Sequence, residues 1–362
     1  MEKKGALVLE DGTVVEGNCF GAEGESRGEV VFNTSMAGYQ EYLTDPSYRY
    51  QILMPTYPLI GNYGITPERF ESDKIQVEGF VVKELCEKPS HGRITKTLDE
   101  FLKEFDIPAL RDVDTRFLTR KIRVRGVMRG LLKCPYEERE IDDLKEAAGK
   151  MKSISEVDLV DLVTVKKPIV HGSEKANKTV VLIDCGVKMS IVKGLMDHNI
   201  GVVRVPARTD YKKILDFEPD GVVISNGPGD PERMGYVVDS LRKILDEQIP
   251  TMGICLGNQL LGLAFGGKTY KLKFGHRGAN QPVKDLETKK VYITSQNHGF
   301  AVDADSLDGS GAKVSHVNLN DNSVEGIRHT ELPAMSVQYH PEAHPGPWDN
   351  AYLFDKFMEM MR

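Results

Sequence analysis

Short apolar runs alternate with amphipathic stretches through the second half of the chain. Segments 188–198 and 233–247 have the spacing of amphipathic helices. The runs between and beside them are short and rich in β-branched residues: 180–184, 201–205, 221–225 and 250–254. This alternation predicts an α/β fold with a doubly wound, mainly parallel sheet. Ligands of such sheets bind beyond the carboxyl ends of the strands.

The first half of the chain has a different pattern. Residues 7–17 alternate apolar and polar side chains about an Asp-Gly pair and predict a β-hairpin. Further strands are expected at 29–33 and 79–82, and helices at 98–105 and 116–125. A polar stretch at 166–178 is the best candidate for a linker. We therefore expect a separate N-terminal mixed α/β domain, residues 1–174, and a C-terminal domain, residues 175–362.

Composition narrows the possible functions. The 362 residues are 40% hydrophobic, enough for two cores. No apolar run approaches the roughly 20 residues of a membrane span, and the charged start lacks a signal core, so a cytoplasmic protein is expected. A net charge of −7 opposes binding to nucleic acid, and no membrane partner is expected either. Five scattered cysteines predict reduced thiols rather than disulfides or a metal site.

The sequence Gly-Ile-Cys-Leu-Gly at 253–257 carries the clearest chemical signal. A nucleophile between two glycines, where a strand becomes a helix, is typical of a nucleophile elbow, with sulfur in place of the usual serine oxygen. The turn should leave the side chain of Cys255 exposed. It also places the thiol at a helix N-terminus, where the dipole and free N–H groups favour the thiolate.

Two later segments supply possible partners for this cysteine. In extended backbone, residues i and i+2 face the same side, so His340 and Glu342 can act together as a base and its orienting carboxylate. A glycine-rich turn at 226–231 follows a predicted strand, and its backbone N–H groups could receive an oxyanion. Taken singly, each segment is more typical of a packed thiol or a surface turn. Their occurrence together, at the ends of strands, favours catalysis.

These motifs resemble a known family. Gly-Ile-Cys-Leu-Gly, Asn-Gly-Pro-Gly-Asp-Pro at 226–231 and His-Pro-Glu at 340–342 resemble the class I, triad-type glutamine amidotransferases. The resemblance extends to small (glutaminase) subunits of carbamoyl-phosphate synthase, through four further segments: 34–41, 43–48, 114–120 and 273–280. Essentially the whole chain is covered.

The resemblance implies a role for each matching residue. Cys255 would attack the side-chain amide of L-glutamine, His340 would transfer protons, and Glu342 would hold His340. The backbone N–H groups of Gly227 and Leu256 would bind the oxyanion. The glutamine-binding residues would be Ser47, Gly227, Gly229, Leu256, Gln259, Asn297, Gly299 and Phe300. Gln259 lies one helical turn after the nucleophile, and Ser47 would come from the N-terminal domain.

The resemblance also implies partners. Ammonia would pass by an enclosed route to a large subunit that uses ATP, Mg and bicarbonate to make carbamoyl phosphate, in arginine or pyrimidine biosynthesis. This chain would carry no cofactor or metal and would work in a heteromer. The basic segment Arg116–Arg129 is more typical of a solvated helix face than of a docking surface. The chain differs from the family pattern at Asn258, where His is usual, at Cys185, where Phe is common, and at Gln281.

Three other functions remain open at this point. An amidotransferase subunit serving another acceptor, such as an anthranilate- or guanylate-forming enzyme, would lack this kind of N-terminal domain. A Cys-His peptidase on a similar sheet is disfavoured by Gln259 and the turn at 297–300. A non-catalytic regulatory module would not need Cys255, His340 and Glu342 together.

Overall fold

A computed structural model describes residues 2–172 and 176–361. The chain forms two compact units, Met1–Val157 and Asp158–Arg362. The predicted boundary near residue 174 lies outside the described residues. The prediction of a linker from 166 is wrong, because Ile169–His171 is an edge strand of the second unit. The β-branched pair Ile169-Val170 forms this strand between the turn-type residues on which the prediction rested.

The N-terminal unit contains nine strands and four α-helices among its described residues. The strands are β1 (Lys4–Leu9), β2 (Val14–Gly21), β3 (Gly24–Asn33), β4 (Gln51–Pro55), β5 (Leu59–Ile60), β6 (Gly79–Val81), β7 (Glu84–Leu85), β8 (Pro108–Arg111) and β9 (Met128–Cys134). The helices are α1 (Tyr39–Thr44), α2 (Leu98–Glu104), α3 (Thr115–Arg125) and α4 (Ile141–Gly149). The predicted hairpin is β1 and β2, paired antiparallel. Seven strands close a barrel in the order β1-β2-β8-β6-β4-β3-β9.

A disulfide joins Cys19 on β2 to Cys134 on β9, so the expectation of five reduced thiols is wrong for these two. Both strands flank β1, and the bridge passes over Gly5 of that strand. A Cβ at Gly5 would lie 2.9 Å from the sulfur of Cys19 and 2.6 Å from that of Cys134. The pairing joins positions 115 residues apart, so only the closed barrel brings the two thiols together.

The C-terminal unit contains ten strands and five α-helices among its described residues. The strands are β10 (Ile169–His171), β11 (Lys178–Asp184), β12 (Ile200–Pro206), β13 (Gly221–Ile224), β14 (Thr251–Ile254), β15 (Thr269–Asp285), β16 (Val291–Val302), β17 (Ala312–Asn318), β18 (Val324–His329) and β19 (Ala334–Val337). The helices are α5 (Met189–Asp197), α6 (Tyr211–Leu215), α7 (Gly235–Asp246), α8 (Leu256–Ala264) and α9 (Tyr352–Met360).

These strands form one sheet in the order β10-β12-β11-β13-β14-β19-β18-β17-β15-β16. The five central strands from β12 to β19 run parallel. Apolar side chains of α7 and α8 pack on one face, and those of α5 and α9 pack on the other. The predicted doubly wound parallel sheet is therefore confirmed. The antiparallel strands β15 to β18 extend it.

Within the described residues, no helix has both the length and the apolar character needed to cross a bilayer.

Candidate active site

Cys255 occupies the turn between β14 and α8, as the elbow prediction requires. Its backbone has φ 57° and ψ −102°, a left-handed conformation that costs a non-glycine residue roughly 1–3 kcal/mol. The flanking glycines allow a close crossing of strand and helix. A Cβ at Gly253 would lie 2.5 Å from the carbonyl oxygen of Gly257, and a Cβ at Gly257 would collide with that of Ile224. The close packing of the strand against the helix maintains this strained backbone. Side chains larger than hydrogen at the two glycines would prevent that packing.

The thiol of Cys255 lies in a buried polar environment. The residue is 1% exposed, so the expectation of an exposed side chain is wrong in this structure. The cause is β16, whose Asn297 carbonyl oxygen lies 3.6 Å from the sulfur. The side-chain amide nitrogen of Gln338 lies 3.7 Å from the sulfur on another side. The sulfur of Cys255 is therefore buried with hydrogen-bonding groups on two sides.

His340 reaches the elbow from the segment that follows β19. The N–H of Cys255 donates to the carbonyl of Val337, which fixes the elbow beside the end of β19. The N–H of His340 donates to the carbonyl of Ser295 on β16. His340 Nδ1 lies 2.6 Å from Glu342 Oε1, and both side chains are buried. The predicted i, i+2 arrangement of base and carboxylate is present.

The charges around His340 favour its protonated form. Burial alone would lower the pKa of His340, but the Glu342 carboxylate and the neighbouring Cys255 outweigh it and raise the pKa to about 10. The ring Nε2 has no hydrogen-bond partner among the described residues. The raised pKa favours the imidazolium form of the ring, whose Nδ1 is hydrogen-bonded to the carboxylate of Glu342.

Lys188, which immediately precedes α5, completes this charge cluster. Its ammonium lies 3.0 Å from Glu342 Oε1, and both side chains are at most 4% exposed. It also donates to the backbone carbonyls of Ala343 and His344. Burial would raise the pKa of Glu342, but Lys188 and His340 together lower it to about 2. Sequence reasoning missed Lys188, because nothing in its local sequence separates it from a surface lysine.

The predicted oxyanion groups lie beside the elbow. Leu256 is the first residue of α8, and the first N–H groups of a helix have no partner within it. Gly227 lies in the loop after β13, where a Cβ would collide with the carbonyl oxygen of Cys185 and lie 2.9 Å from a Leu256 methyl carbon. Gly229, in the same loop, has φ 94°. The loop that carries Gly227 thus packs against Leu256, the residue after Cys255, and the binding of an oxyanion by these two N–H groups stays a prediction.

The other predicted glutamine-binding residues fall into two groups. Gln259 is on α8, and its amide nitrogen donates to the carbonyl of Phe300 at 2.9 Å. Asn297, Gly299 and Phe300 are on β16, the strand that covers Cys255. Ser47 is buried in the short 3-10 helix Pro46–Tyr48 of the N-terminal unit, where its N–H donates to Asp45. Its part in glutamine binding stays a prediction.

The departures from the family pattern have different surroundings. Asn258 is fully buried and hydrogen-bonded to Gln338 and Ser336. Cys185 is fully buried at the end of β11, and burial raises the pKa of its thiol well above the ordinary value. Gln281 is on β15, and its side-chain oxygen accepts a hydrogen bond from Asn320. Asn258 belongs to the hydrogen-bond network that reaches the sulfur of Cys255 through Gln338.

A second buried histidine cluster lies on the antiparallel strands. Side-chain atoms of His276, His298 and Glu325 lie within 4.8 Å of one another, a spacing that a metal ion could use. Burial lowers the pKa of His276, but hydrogen bonds to Asp321 at 2.9 Å and to Glu325 raise it to about 9. The protonated ring of His276 therefore places a positive charge between the carboxylates of Asp321 and Glu325. No role for His276 was predicted from its sequence context.

Two family models match the chain. Residues 181–360 match glutamine amidotransferase class-I, which covers the elbow, the glycine-rich loop and the His-Pro-Glu segment. Residues 7–132 match carbamoyl-phosphate synthase small chain, CPSase domain, which covers the strands of the barrel. The two matches fall on the two compact units.

Relatives of known name match over nearly their whole length. The chain is 56% identical to the carbamoyl phosphate synthase small chain of Methanopyrus kandleri, with 99% of each chain covered. It is 55% identical to that of Methanocaldococcus jannaschii, with 98% of each covered. It is 53% identical to that of Archaeoglobus fulgidus, with 99% of each covered.

Proposed function

The chain belongs to the carbamoyl phosphate synthase small-chain family, and from that premise we propose that Cys255, His340 and Glu342 are its catalytic triad. As a member of that family, the chain is the glutaminase subunit of a glutamine-hydrolysing carbamoyl phosphate synthase. It supplies ammonia from L-glutamine to a large subunit. The proposal concerns which atoms of this chain carry out the hydrolysis.

The first half of the reaction forms a thioester. The thiol proton of Cys255 passes to His340, so the sulfur attacks the side-chain amide carbon of glutamine as the thiolate, and the carbonyl electron pair moves onto oxygen. The N–H groups of Gly227 and Leu256 stabilise this oxyanion, each worth up to about 3 kcal/mol. His340 Nε2 gives its proton to the departing nitrogen. The carbon–nitrogen bond breaks, ammonia leaves, and a glutamyl thioester remains on Cys255.

The second half of the reaction releases glutamate. His340, now neutral, takes a proton from water as the water attacks the thioester carbon. The tetrahedral intermediate collapses, the carbon–sulfur bond breaks, and glutamate leaves. The sulfur departs as thiolate beside the newly formed imidazolium. Glu342 stays ionised throughout, which its low pKa permits.

The observation that carries this assignment is the strained backbone of Cys255, at a helix N-terminus beside the buried pair His340 and Glu342. Strain of this kind persists where the surroundings impose it and is concentrated at functional sites. We assign glutamine binding to the remaining predicted residues: Ser47, Gly229, Gln259, Asn297, Gly299 and Phe300. A small-molecule substrate and a cytoplasmic location form part of the same proposal.

The large subunit would use ATP, Mg and bicarbonate to convert the ammonia into carbamoyl phosphate. The similarity of this chain to synthase small chains supports that division of labour. An N-terminal unit matched to the synthase small chain also favours this acceptor over the anthranilate- and guanylate-forming alternatives.

The test is Cys255→Ser, with Cys86→Ser as the matched control. Cys86 is a half-buried free thiol of the N-terminal unit. In the complex with the large subunit, Cys255→Ser should abolish carbamoyl phosphate synthesis from glutamine and spare synthesis from added ammonia. Cys86→Ser should keep both. A Cys255→Ser variant that still releases glutamate from glutamine would refute the assignment, and peptide cleavage by the wild type would favour the peptidase alternative.

A further inference from the structure

The side chain of Gln338 touches the reacting sulfur. Gln338 follows β19 and is fully buried, and its Nε2 lies 3.7 Å from Cys255 Sγ. Its backbone N–H donates to the carbonyl of Glu325 on β18, which fixes the start of the side chain. An amide N–H directed at sulfur stabilises the charged form of a thiol over the neutral form.

The orientation of this amide follows from its other hydrogen bonds. Gln338 Oε1 accepts from Asn258 Nδ2 at 3.1 Å and from Gln259 Nε2 at 3.2 Å. Asn258 is itself oriented, because its Oδ1 accepts from the hydroxyl of Ser336 at 2.8 Å. Gln259 is oriented because its nitrogen also donates to the Phe300 carbonyl. Two donors facing the amide oxygen leave the amide nitrogen facing the sulfur.

We propose that Gln338 is a catalytic residue that donates a hydrogen bond to the thiolate of Cys255, and that Asn258 is the residue that positions it. This inference rests on the proposed function, since it concerns the same nucleophile. It gives Asn258, which departs from the family pattern, a defined structural task. It also extends the catalytic residues beyond the three recognised from the sequence motifs.

A neutral donor supplies a hydrogen bond that does not depend on protonation, which the histidine cannot do. His340 changes its protonation state twice in each turnover, because it gives a proton to ammonia and later takes one from water. An amide does not titrate in this range, so its N–H faces the sulfur at every step. In the second half of the reaction it would stabilise the sulfur as a leaving group. The charged and titratable groups that act on His340 are Glu342, Lys188 and Cys255, and His340 in turn acts on His298 of β16.

The test measures how the reactivity of the thiol depends on pH. Full-length chain is treated with iodoacetamide from pH 5 to 10, and alkylation of Cys255 is followed by peptide mass spectrometry, which separates it from Cys86. Gln338→Met keeps the size of the side chain and removes the donor. In this variant the rate of Cys255 alkylation at pH 7 should fall about ten-fold. The pH at which that rate reaches half of its maximum, the midpoint, should rise by about one unit. Glutaminase kcat should fall together with the alkylation rate.

Two further variants separate donation from a general loss of packing. Gln76→Met is the matched control, because Gln76 is a buried glutamine of the N-terminal unit whose nitrogen donates to Ser72. It should lower the melting temperature and leave the midpoint unchanged. Asn258→Leu leaves Gln338 intact but removes one of the two donors that orient it. It should move the midpoint in the same direction as Gln338→Met, by a smaller amount.

The midpoints of the Gln338 and Asn258 variants decide whether Gln338 donates a hydrogen bond to the sulfur. A folded Gln338→Met variant with the wild-type midpoint would overturn it. If Gln338→Met does not fold, Asn258→Leu decides: a raised midpoint supports the proposal, and an unchanged midpoint overturns it. The proposed function fails separately, through glutamine hydrolysis that survives Cys255→Ser. If Cys255→Ser is inactive and Gln338→Met has the wild-type midpoint, the proposed function stands and only the inference about Gln338 is refuted.

Discussion

Replacing Glu342 with glutamine removes one charge from the centre of the buried cluster and keeps its shape. A single oxygen, Oε1, lies 2.6 Å from His340 Nδ1 and 3.0 Å from the ammonium of Lys188. In Glu342→Gln, the amide oxygen can still accept a hydrogen bond from the ring. The imidazolium and the buried ammonium, however, both lose their counter-ion.

The size of the effect follows from the pKa of His340. A rise from 6.5 to about 10 corresponds to roughly 5 kcal/mol in favour of the imidazolium. Glu342 is the largest influence that raises this pKa, while burial and Lys188 both lower it. Without the carboxylate we expect His340 to be neutral at pH 8. Loss of one partner of a buried ion pair should also lower the free energy of unfolding by about 3 kcal/mol.

The assay compares the two nitrogen sources in the complex with the large subunit. Glutamate release from glutamine should fall about 10⁴-fold, the size of effect found when the carboxylate of a triad is removed. Synthesis from added ammonia should continue. Chemical denaturation of the isolated chain gives the loss of stability.

The matched control is Glu331→Gln, an exposed glutamate in the turn before β19. It should leave both the rate and the stability unchanged. A folded Glu342→Gln variant that hydrolyses glutamine within three-fold of the wild-type rate would refute the reasoning, because the charge would then have no catalytic part.

Three further predictions concern close packing and pH. Gly257→Ala should force α8 away from β13, lower the free energy of unfolding by about 1–3 kcal/mol and impair glutamine hydrolysis, whereas Gly235→Ala, where a Cβ meets nothing within 4 Å, should do neither. Gly5→Ala should destabilise the barrel by a similar amount, because its Cβ would collide with the disulfide. Gly149→Ala, with open space at the Cβ, is the control in thermal unfolding. The stability contributed by His276, whose folded pKa is about 9, is fully present below pH 6.5 and lost as pH rises through 9. The melting temperature of His276→Gln should therefore lie well below that of wild type at pH 6 and approach it at pH 9.5, and an equal gap at both pH values would contradict this.

The parallel half of the C-terminal sheet could be predicted because its signals are local. Each of its strands is a short apolar run, and the intervening helices have regular apolar spacing. The elbow could be predicted because Gly253 and Gly257 flank the nucleophile within five residues. The pairing of His340 with Glu342 follows from the two-residue repeat of extended backbone, and the hydrogen bond between them is present.

Features formed by distant segments could not be predicted. The disulfide and the barrel depend on which strands become neighbours, and the spacing of Cys19 and Cys134 along the chain does not encode this. Lys188 and Gln338 enter the site through tertiary contacts, and nothing in their own segments distinguishes them from ordinary polar residues. Asn258 stood out only as a departure from the family pattern, because the hydrogen bond that it donates to Gln338 joins positions 80 residues apart. The exposure of Cys255 was mispredicted for the same reason, since the covering strand lies about forty residues further along the chain.

The backbone conformation at Cys255 lowers the stability of the fold at the residue proposed to carry out the reaction. Its φ of 57° is one that glycine adopts freely and a cysteine does not. Selection for thermal robustness alone would therefore favour glycine at this position, at the expense of turnover. A laboratory evolution experiment that screens this chain only for heat resistance should therefore select glycine at Cys255, the residue proposed here as the nucleophile.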